Sequence, residues 1–224
     1  GMIMVDDRID KQRRRLLDEI ESEVRATEGY TGRNKLSDQV MAAMAKVPRH
    51  RFVPPDVAYA AYANRPQPIG FGQTISQPYM VAIMTDLLDL GPNSRGLEIG
   101  CGCGYQAAVL AEVAGAVYSV EKIDGLAKSA RKRLTELGYQ TVHIKNGDGY
   151  KGWSEEAPFD AVIVPAAAAC VPPALVKQLK PGGRMVIPIG MPAAPQVLKV
   201  GEKNMDGKIS FASTLHVAFV PLVK

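Results

Sequence analysis

Residues 97–105 read LEIGCGCGY, an apolar run with one acid that passes into a turn with glycine at every second position. An alanine-rich segment, residues 106–113, follows the turn and has the composition of a helix. Glycine lets a backbone approach a ligand closely, and the first N–H groups of a helix have no partner within it. The stretch therefore predicts a strand, a glycine turn and a helix that together hold a ligand.

A second acid, Glu121, ends the apolar run at residues 116–121, about twenty residues after the glycine turn. In a βαβ unit, an acid at this place commonly binds the two hydroxyls of a ribose. After a third apolar run, residues 147–149 read GDG, and the Asp148 carboxylate can accept a hydrogen bond from an adenine amine. The same letters are also an ordinary turn sequence. Together the motifs predict a cofactor that contains adenosine.

The spacing of the glycines favours one cofactor over the others. A dinucleotide fingerprint is G-x-G-x-x-G, whereas residues 100–104 read G-x-G-x-G. Glu98, two residues before the first glycine, would repel a pyrophosphate and suits a cation. S-adenosylmethionine carries a sulfonium and an ammonium group and no phosphate, so we expect it as cofactor, with S-adenosylhomocysteine as product. A nicotinamide or flavin cofactor, and a tight turn without a ligand, are the alternatives.

Composition bounds the class of protein. The chain has 224 residues, 46% of them hydrophobic, a mean hydropathy of -0.05 and a net charge of +4. No apolar run approaches the ~20 residues of a membrane span, and no signal peptide is visible, so we expect a cytoplasmic chain without a membrane partner. Acids flank the basic run at residues 13–15, which favours a solvated helix face over a nucleic-acid arm. Three cysteines without a matching histidine pair predict reduced thiols and no metal site.

The pattern along the chain predicts one α/β domain with a Rossmann-like, doubly wound mixed sheet, mostly parallel and closed by an antiparallel hairpin near the C-terminus. A helical extension precedes it, with a helix at residues 37–45 capped by Ser37. We expect N-terminal helices and a substrate-side loop in residues 1–79 and a donor-binding core in residues 80–224. The predicted strands are residues 95–99, 116–121, 141–145, 161–165, 184–189, 196–200 and 215–221.

The candidate acceptor site lies outside this scaffold, in the run PIGFGQTISQPYM at residues 68–80. It concentrates glycines, hydroxyls and amides directly before a helix, and this density of hydrogen-bond donors suits an anionic acceptor. Ser76 is predicted to cap that helix, with Pro78 in its first turn. A capped loop without further function is the simpler interpretation of the same residues.

Seven runs resemble one family over nearly the whole chain after the first helix. The order of glycine turn, ribose acid, GDG, FDAVIV and LKPGG is similar to the class I S-adenosylmethionine-dependent methyltransferases. The GQTISQP run at residues 72–78 is more specific and resembles the protein-L-isoaspartate O-methyltransferase family. The remaining matching runs are VPRHRFVP at 47–54, GDGYKGW at 147–153, APFDAVIV at 157–164, LKPGGRMVIPIG at 179–190 and FVPL at 219–222.

The resemblance implies a cytosolic repair enzyme that methylates the free α-carboxylate of isoaspartyl residues in damaged proteins and peptides, and we expect it to be a monomer. The ester would then close to a succinimide. It implies Ser76 as the active-site residue and Ile75, Ser76 and Gln77 as substrate-binding residues. The implied cofactor-binding residues are Gln73, Thr74, Ile75, Glu98, Gly100, Gly102, Gly104, Glu121, Lys122, Asp148 and Gly149.

Three departures from the family pattern are visible. Pro165 precedes the alanines after the fourth strand, where the family commonly has threonine. Cys101 and Cys103 stand in the glycine turn where threonine and serine are frequent, and the arginine often seen before FVPL is missing. A methyltransferase of another acceptor, such as RNA or a small molecule, and a catalytically silent binding module are the competing hypotheses.

Overall fold

A seven-stranded sheet forms the centre of the molecule in the computed structural model, which describes residues 2–191 and 193–224. Its strand order is β5-β4-β3-β6-β7-β8-β9. The strands β3 to β7 run parallel to one another, and β8 and β9 continue the sheet as an antiparallel meander. A two-stranded hairpin, β1 and β2, stands apart from it. The strands are Gln67–Gly70, Gln73–Ile75, Arg95–Ile99, Ala116–Glu121, Val142–Asn146, Phe159–Ile163, Leu179–Ile189, Gln196–Lys203 and Ile209–Val217.

Helices cover the sheet because the central strands are apolar on both faces. Leu97, Ile99 and Val162 are fully buried or nearly so, as expected for a parallel sheet with covered faces. The α-helices in the described part of the chain, α1 to α7, are Met2–Ala26, Glu28–Thr31, Asp38–Lys46, Pro78–Leu87, Tyr105–Val113, Asp124–Glu136 and Pro173–Gln178. The predicted fold class, a mostly parallel mixed sheet with an N-terminal helical extension, is confirmed.

The N-terminal helices pack onto the core. Helix α1 contacts α4, and α3 contacts α5, so that Leu16, Ile20 and Val40 join one buried apolar cluster with the core helices. The Ser37 hydroxyl accepts a hydrogen bond from the N–H of Val40 and caps α3, as predicted. Among the described helices, none combines the length and the apolar character that a membrane span requires.

The sheet places the candidate site through its strand order. From β3 the chain moves outward to β4 and β5 in one direction, and β6 and β7 lie on the other side of β3. In open α/β sheets, ligands bind beyond the carboxyl ends of the strands at such a reversal. The glycine turn follows β3 and Glu121 ends β4, so both predicted motifs lie at this edge.

The predicted strand bounds are wrong by one residue at β5, by two or three residues at β6 and β8, and by four to six residues at β7 and β9. Strand β7 begins at Leu179, five residues before the predicted start at 184, because Leu179 pairs with Phe159 ahead of an irregularity in the ladder. Strand β9 spans Ile209–Val217 instead of 215–221, because its register with β8 starts directly after the turn that follows Lys203. The residues after Val217 leave the sheet, and Pro221 bridges to Ala167.

Candidate active site

The glycine turn connects β3 to α5 with a backbone that other residues seldom adopt. Gly100, Gly102 and Gly104 have φ values of 91°, 52° and 93°, all in the left-handed region. At Gly104, which precedes the first residue of α5, a Cβ would also lie 3.1 Å from a methyl group of Leu134. Glycine is therefore required for both the conformation and the close packing of the turn.

Glu98 carries a buried carboxyl group and lies one residue before the end of β3, next to the glycine turn. Its side chain is fully buried, and its Oε1 accepts a hydrogen bond of 2.6 Å from the hydroxyl of Ser119 on the neighbouring strand. The other oxygen, Oε2, has no hydrogen-bond partner among the described residues. The pKa of Glu98 is raised to about 8, chiefly by burial and to a smaller extent by the nearby charge of Glu121, against the lowering effect of the hydrogen bond from Ser119. A buried oxygen without a partner fits a ligand that carries a cation.

Glu121 joins the end of β4 to the glycine turn. Its Oε1 accepts a hydrogen bond of 2.9 Å from the N–H of Gly102, and its Oε2 accepts one of 3.0 Å from the N–H of Ile123. The carboxylate is thus fixed in one orientation. Each of its oxygens can accept a further hydrogen bond, which leaves capacity for two hydroxyl groups of a ligand.

A cleft in two connected parts runs along this edge of the sheet. The first part contains the acceptor loop and the glycine turn, and the second lies between β3, β4 and Gly149. Gln73, Gly100, Glu121 and Ala166 line both parts. The cleft brings together ten predicted site residues: Gln73, Thr74, Ile75, Ser76, Glu98, Gly100, Gly102, Glu121, Lys122 and Gly149.

Three predicted site residues lie beside the cleft and make other contacts. Gly104 precedes α5 and shapes the turn from behind. Asp148 accepts a hydrogen bond of 3.0 Å from the N–H of Tyr150 through Oδ1 and so caps a short 3-10 helix. The amide of Gln77 donates to the carboxylate of Glu23 at 3.2 Å and to the carbonyl of Asn64 at 3.2 Å, away from the cleft.

Ser76 lines the cleft with its hydroxyl available. The residue is half-buried, and the hydroxyl makes no hydrogen bond to any described residue. Its carbonyl accepts a hydrogen bond of 2.9 Å from Nη2 of Arg49. The loop is therefore anchored through its backbone, and the side chain is left for a ligand.

The predicted helix cap at Ser76 is wrong. Helix α4 begins at Pro78, so Gln77 occupies the capping position, and it makes no side-chain cap bond. The cap comes from a distant residue instead, because Oδ1 of Asn64 accepts a hydrogen bond of 3.0 Å from the N–H of Tyr79. An acceptor from another loop satisfies the helix end and releases the Ser76 hydroxyl from that task.

Sequence reasoning missed several residues of the cleft wall. Tyr105 and Gln106 begin α5 directly after the glycine turn, so the topology alone could have assigned them to the cleft. Pro165, which the sequence marks as a departure from the family pattern, also lies in the wall. Val220 and Leu222 come from the C-terminal segment, and no local signal in the sequence places them here.

Among the described residues, no group of three His, Cys, Asp or Glu side chains could hold a metal ion.

The fold and the cleft define the class. A parallel sheet with a reversal of strand order, a glycine turn after the central strand and acids on two adjacent strands are the features of a Rossmann-like methyltransferase. The family model described as protein-L-isoaspartate(D-aspartate) O-methyltransferase (PCMT) matches residues 27–224. The chain belongs to this family, and the resemblance found in the sequence is confirmed.

Individual relatives agree with the family assignment. The protein-L-isoaspartate O-methyltransferase 2 of Polaromonas sp. (strain JS666) is 55% identical over 207 residues, which cover 92% of this chain and 98% of the relative. A solved protein-L-isoaspartate O-methyltransferase matches with a TM-score of 0.80 and 27% identity, over 95% of this chain and 66% of that chain. A structure from Plasmodium falciparum, described as a beta-aspartate methyltransferase in complex with S-adenosyl-L-homocysteine, has a TM-score of 0.71 and 26% identity, over 84% of this chain and 91% of that chain.

Proposed function

We propose that this chain transfers a methyl group from S-adenosylmethionine to the free α-carboxylate of isoaspartyl residues in damaged proteins and peptides, and so starts their repair through a succinimide. The observation that carries the proposal is the free hydroxyl of Ser76 in the wall of a cleft that also contains Glu98 and Glu121. The family supports the substrate class, and the cleft supports the reaction.

The residues of the cleft fit the expected cofactor. S-adenosylmethionine, when bound, supplies an electrophilic methyl group on a sulfonium. Glu98 would hold its ammonium group through the unpartnered Oε2, and Glu121 would accept hydrogen bonds from the ribose hydroxyls. Lys122 and Gly149 line the second part of the cleft, where the adenine would lie, and the free oxygen of Asp148 would accept from the adenine amine.

The acceptor carboxylate needs no chemical activation by the enzyme. An α-carboxyl has a reference pKa of about 3.5, so it is ionised at neutral pH and no general base is required. Catalysis then consists of alignment and exclusion of water, and alignment alone can contribute on the order of 7–11 kcal/mol. The Ser76 hydroxyl would hold one oxygen of this carboxylate. A neutral donor suits the task, because a tighter hold on the charged ground state would oppose a transition state in which that charge disappears.

A pair of peptides that differ only in isoaspartyl and aspartyl tests the function. We expect methyl transfer from S-adenosylmethionine to the isoaspartyl peptide alone. Transfer to neither peptide, with donor binding intact, would contradict the proposal and point to another acceptor. If the chain neither transfers a methyl group nor binds the donor, it is a catalytically silent binding module.

A Ser76→Ala variant tests the assigned residue. We expect kcat to fall by about 10- to 100-fold, since a lost positioning contact has effects of this order, while the affinity for S-adenosylhomocysteine stays within about twofold. Ser210→Ala, an exposed serine on β9, is the matched control and should leave kcat unchanged. Unchanged turnover in Ser76→Ala would refute the role of the hydroxyl.

The monomeric state, the cytoplasmic location and the division of the chain at residue 79 remain predictions.

A further inference from the structure

The run VPRHRFVP at residues 47–54 contains a charged side chain that the proposed mechanism does not use. Arg49 is fully buried, in a short 3-10 helix that spans Arg49–Arg51. Among the described residues, no carboxylate lies within ion-pair distance of its guanidinium. A buried cation without an acidic partner is costly to maintain and calls for a reason.

The contacts of Arg49 lead to the acceptor loop. Its Nε donates to the carbonyl of Ala61 at 2.7 Å, and its Nη2 donates to the carbonyl of Ser76 at 2.9 Å. The guanidinium lies over the ring of Tyr105 at 4.8 Å from the ring centre, and Tyr105 in turn lines the cleft. The third nitrogen, Nη1, is buried and has no partner among the described residues.

We propose that Arg49 is a positioning residue of the acceptor subsite, which fixes the backbone that presents the Ser76 hydroxyl and places a buried positive charge behind the cleft wall. The inference rests on the proposed role of Ser76. Two neutral carbonyls and a ring leave the charge of the guanidinium largely uncompensated, and a charge in a low-dielectric interior acts over several ångströms. Its field would favour the binding of an acceptor with a carboxylate over a neutral one and so would act on the KM of the peptide, whereas the hydrogen bonds to the backbone would act on kcat.

The two effects separate in kinetics. Arg49→Lys keeps the charge but loses the planar fork that reaches two carbonyls at once, so we expect a lower kcat with little change in the KM of the isoaspartyl peptide. Arg49→Gln also removes the charge, so the KM of the peptide should rise as well. In both variants the dissociation constant of S-adenosylhomocysteine, measured by calorimetry, should stay within about twofold, because the guanidinium contacts none of the predicted cofactor-binding residues directly.

A double-mutant cycle with Ser76→Ala decides between positioning and packing. If Arg49 acts through Ser76, Arg49→Gln lowers kcat/KM by about 10- to 100-fold in the native background and by far less in the Ser76→Ala background. Arg49→Lys enters the same cycle if Arg49→Gln does not fold. Arg13→Gln is the matched control, because Arg13 also lies over a tyrosine, Tyr62, and has a buried nitrogen without a partner, but does not contact Ser76.

The outcomes are distinguishable. The effect of Arg13→Gln, if any, should multiply with that of Ser76→Ala. The positioning role of Arg49 would be overturned if the effects of Arg49→Gln and Ser76→Ala on kcat/KM multiply. It would also be overturned if the affinity for S-adenosylhomocysteine falls in proportion to activity. In both cases the role of Ser76 stands. Unchanged activity of the Ser76→Ala variant alone would overturn the proposed role of Ser76 and, with it, this inference.

Discussion

At the scale of single residues, Glu98 has the most unusual chemistry in the cleft. It lies on the central strand with one oxygen bonded to Ser119 and the other without a partner. Its pKa of about 8 means that the carboxyl is mostly protonated at neutral pH while the cleft holds no ligand. The same residue is expected to bind a cationic group, and this requires the ionised form. Ligand binding and proton release are therefore coupled at this position.

We predict that binding of S-adenosylhomocysteine releases a proton from Glu98. The ammonium group of the ligand favours the carboxylate, so affinity should rise as the pH increases from about 6 to 8, where Glu98 loses its proton. Calorimetry in two buffers of different ionisation enthalpy measures the released proton. Glu98→Gln, which has no proton to release, corrects for titration of the ligand itself and should bind more weakly. An equal proton count in the two proteins would contradict the prediction.

At the scale of secondary-structure elements, Asn64 holds the acceptor loop between two helices. Its Oδ1 caps α4 through the N–H of Tyr79, and its Nδ2 donates to the carboxylate of Glu23 on α1 at 3.1 Å. Burial raises the pKa of Glu23, against the lowering effect of its hydrogen bonds to Asn64 and Gln77. The start of α4, two residues after Ser76, thus depends on a side chain from a separate loop.

Removal of this cap should affect stability and activity together. For Asn64→Ala we expect the free energy of unfolding to fall by about 1–3 kcal/mol, the sum of a lost cap and a lost partner of Glu23, as measured by urea denaturation. The kcat for the isoaspartyl peptide should fall as well. Ser37→Ala removes the cap of α3 and serves as control, with a loss of about 1 kcal/mol and unchanged kcat. Equal kinetic effects in both variants would argue against a link between Asn64 and the loop.

The secondary-structure elements also show which parts of the fold and of the site could be predicted from the sequence. Strands β3 and β4 have the predicted bounds, because each is a short apolar run that ends at a glycine turn or an acid. The site residues on those strands and on the acceptor loop could be predicted because their motifs are local. The cap of α4 by Asn64 and the wall residue Val220 could not, since both depend on contacts between distant parts of the chain.

At the scale of the whole molecule, the cleft is assembled from five separate parts of the chain. They are the hairpin with the acceptor loop, the glycine turn with β4, the segment after β5 that contains Gly149, the segment after β6, and the C-terminal residues. The last two are held together by backbone hydrogen bonds, with Ala167 donating to Val220 and Leu222 donating to Ala167, each at 2.8 Å. A ligand in the cleft therefore contacts parts of the chain that are far apart in the sequence.

Such a ligand should stabilise the whole fold. At a concentration 100-fold above its dissociation constant, S-adenosylhomocysteine should add about 2.7 kcal/mol to the free energy of unfolding. For a domain of this size, that corresponds to a rise in Tm of about 5–10 °C in a thermal scan. Glu121→Ala, which loses the expected ribose contact, should need a higher ligand concentration for the same rise, and Ser210→Ala should behave like the native chain. Because the stabilisation comes from binding to the folded state alone, a Tm that stays constant at saturating ligand would mean that the cleft is not the donor site.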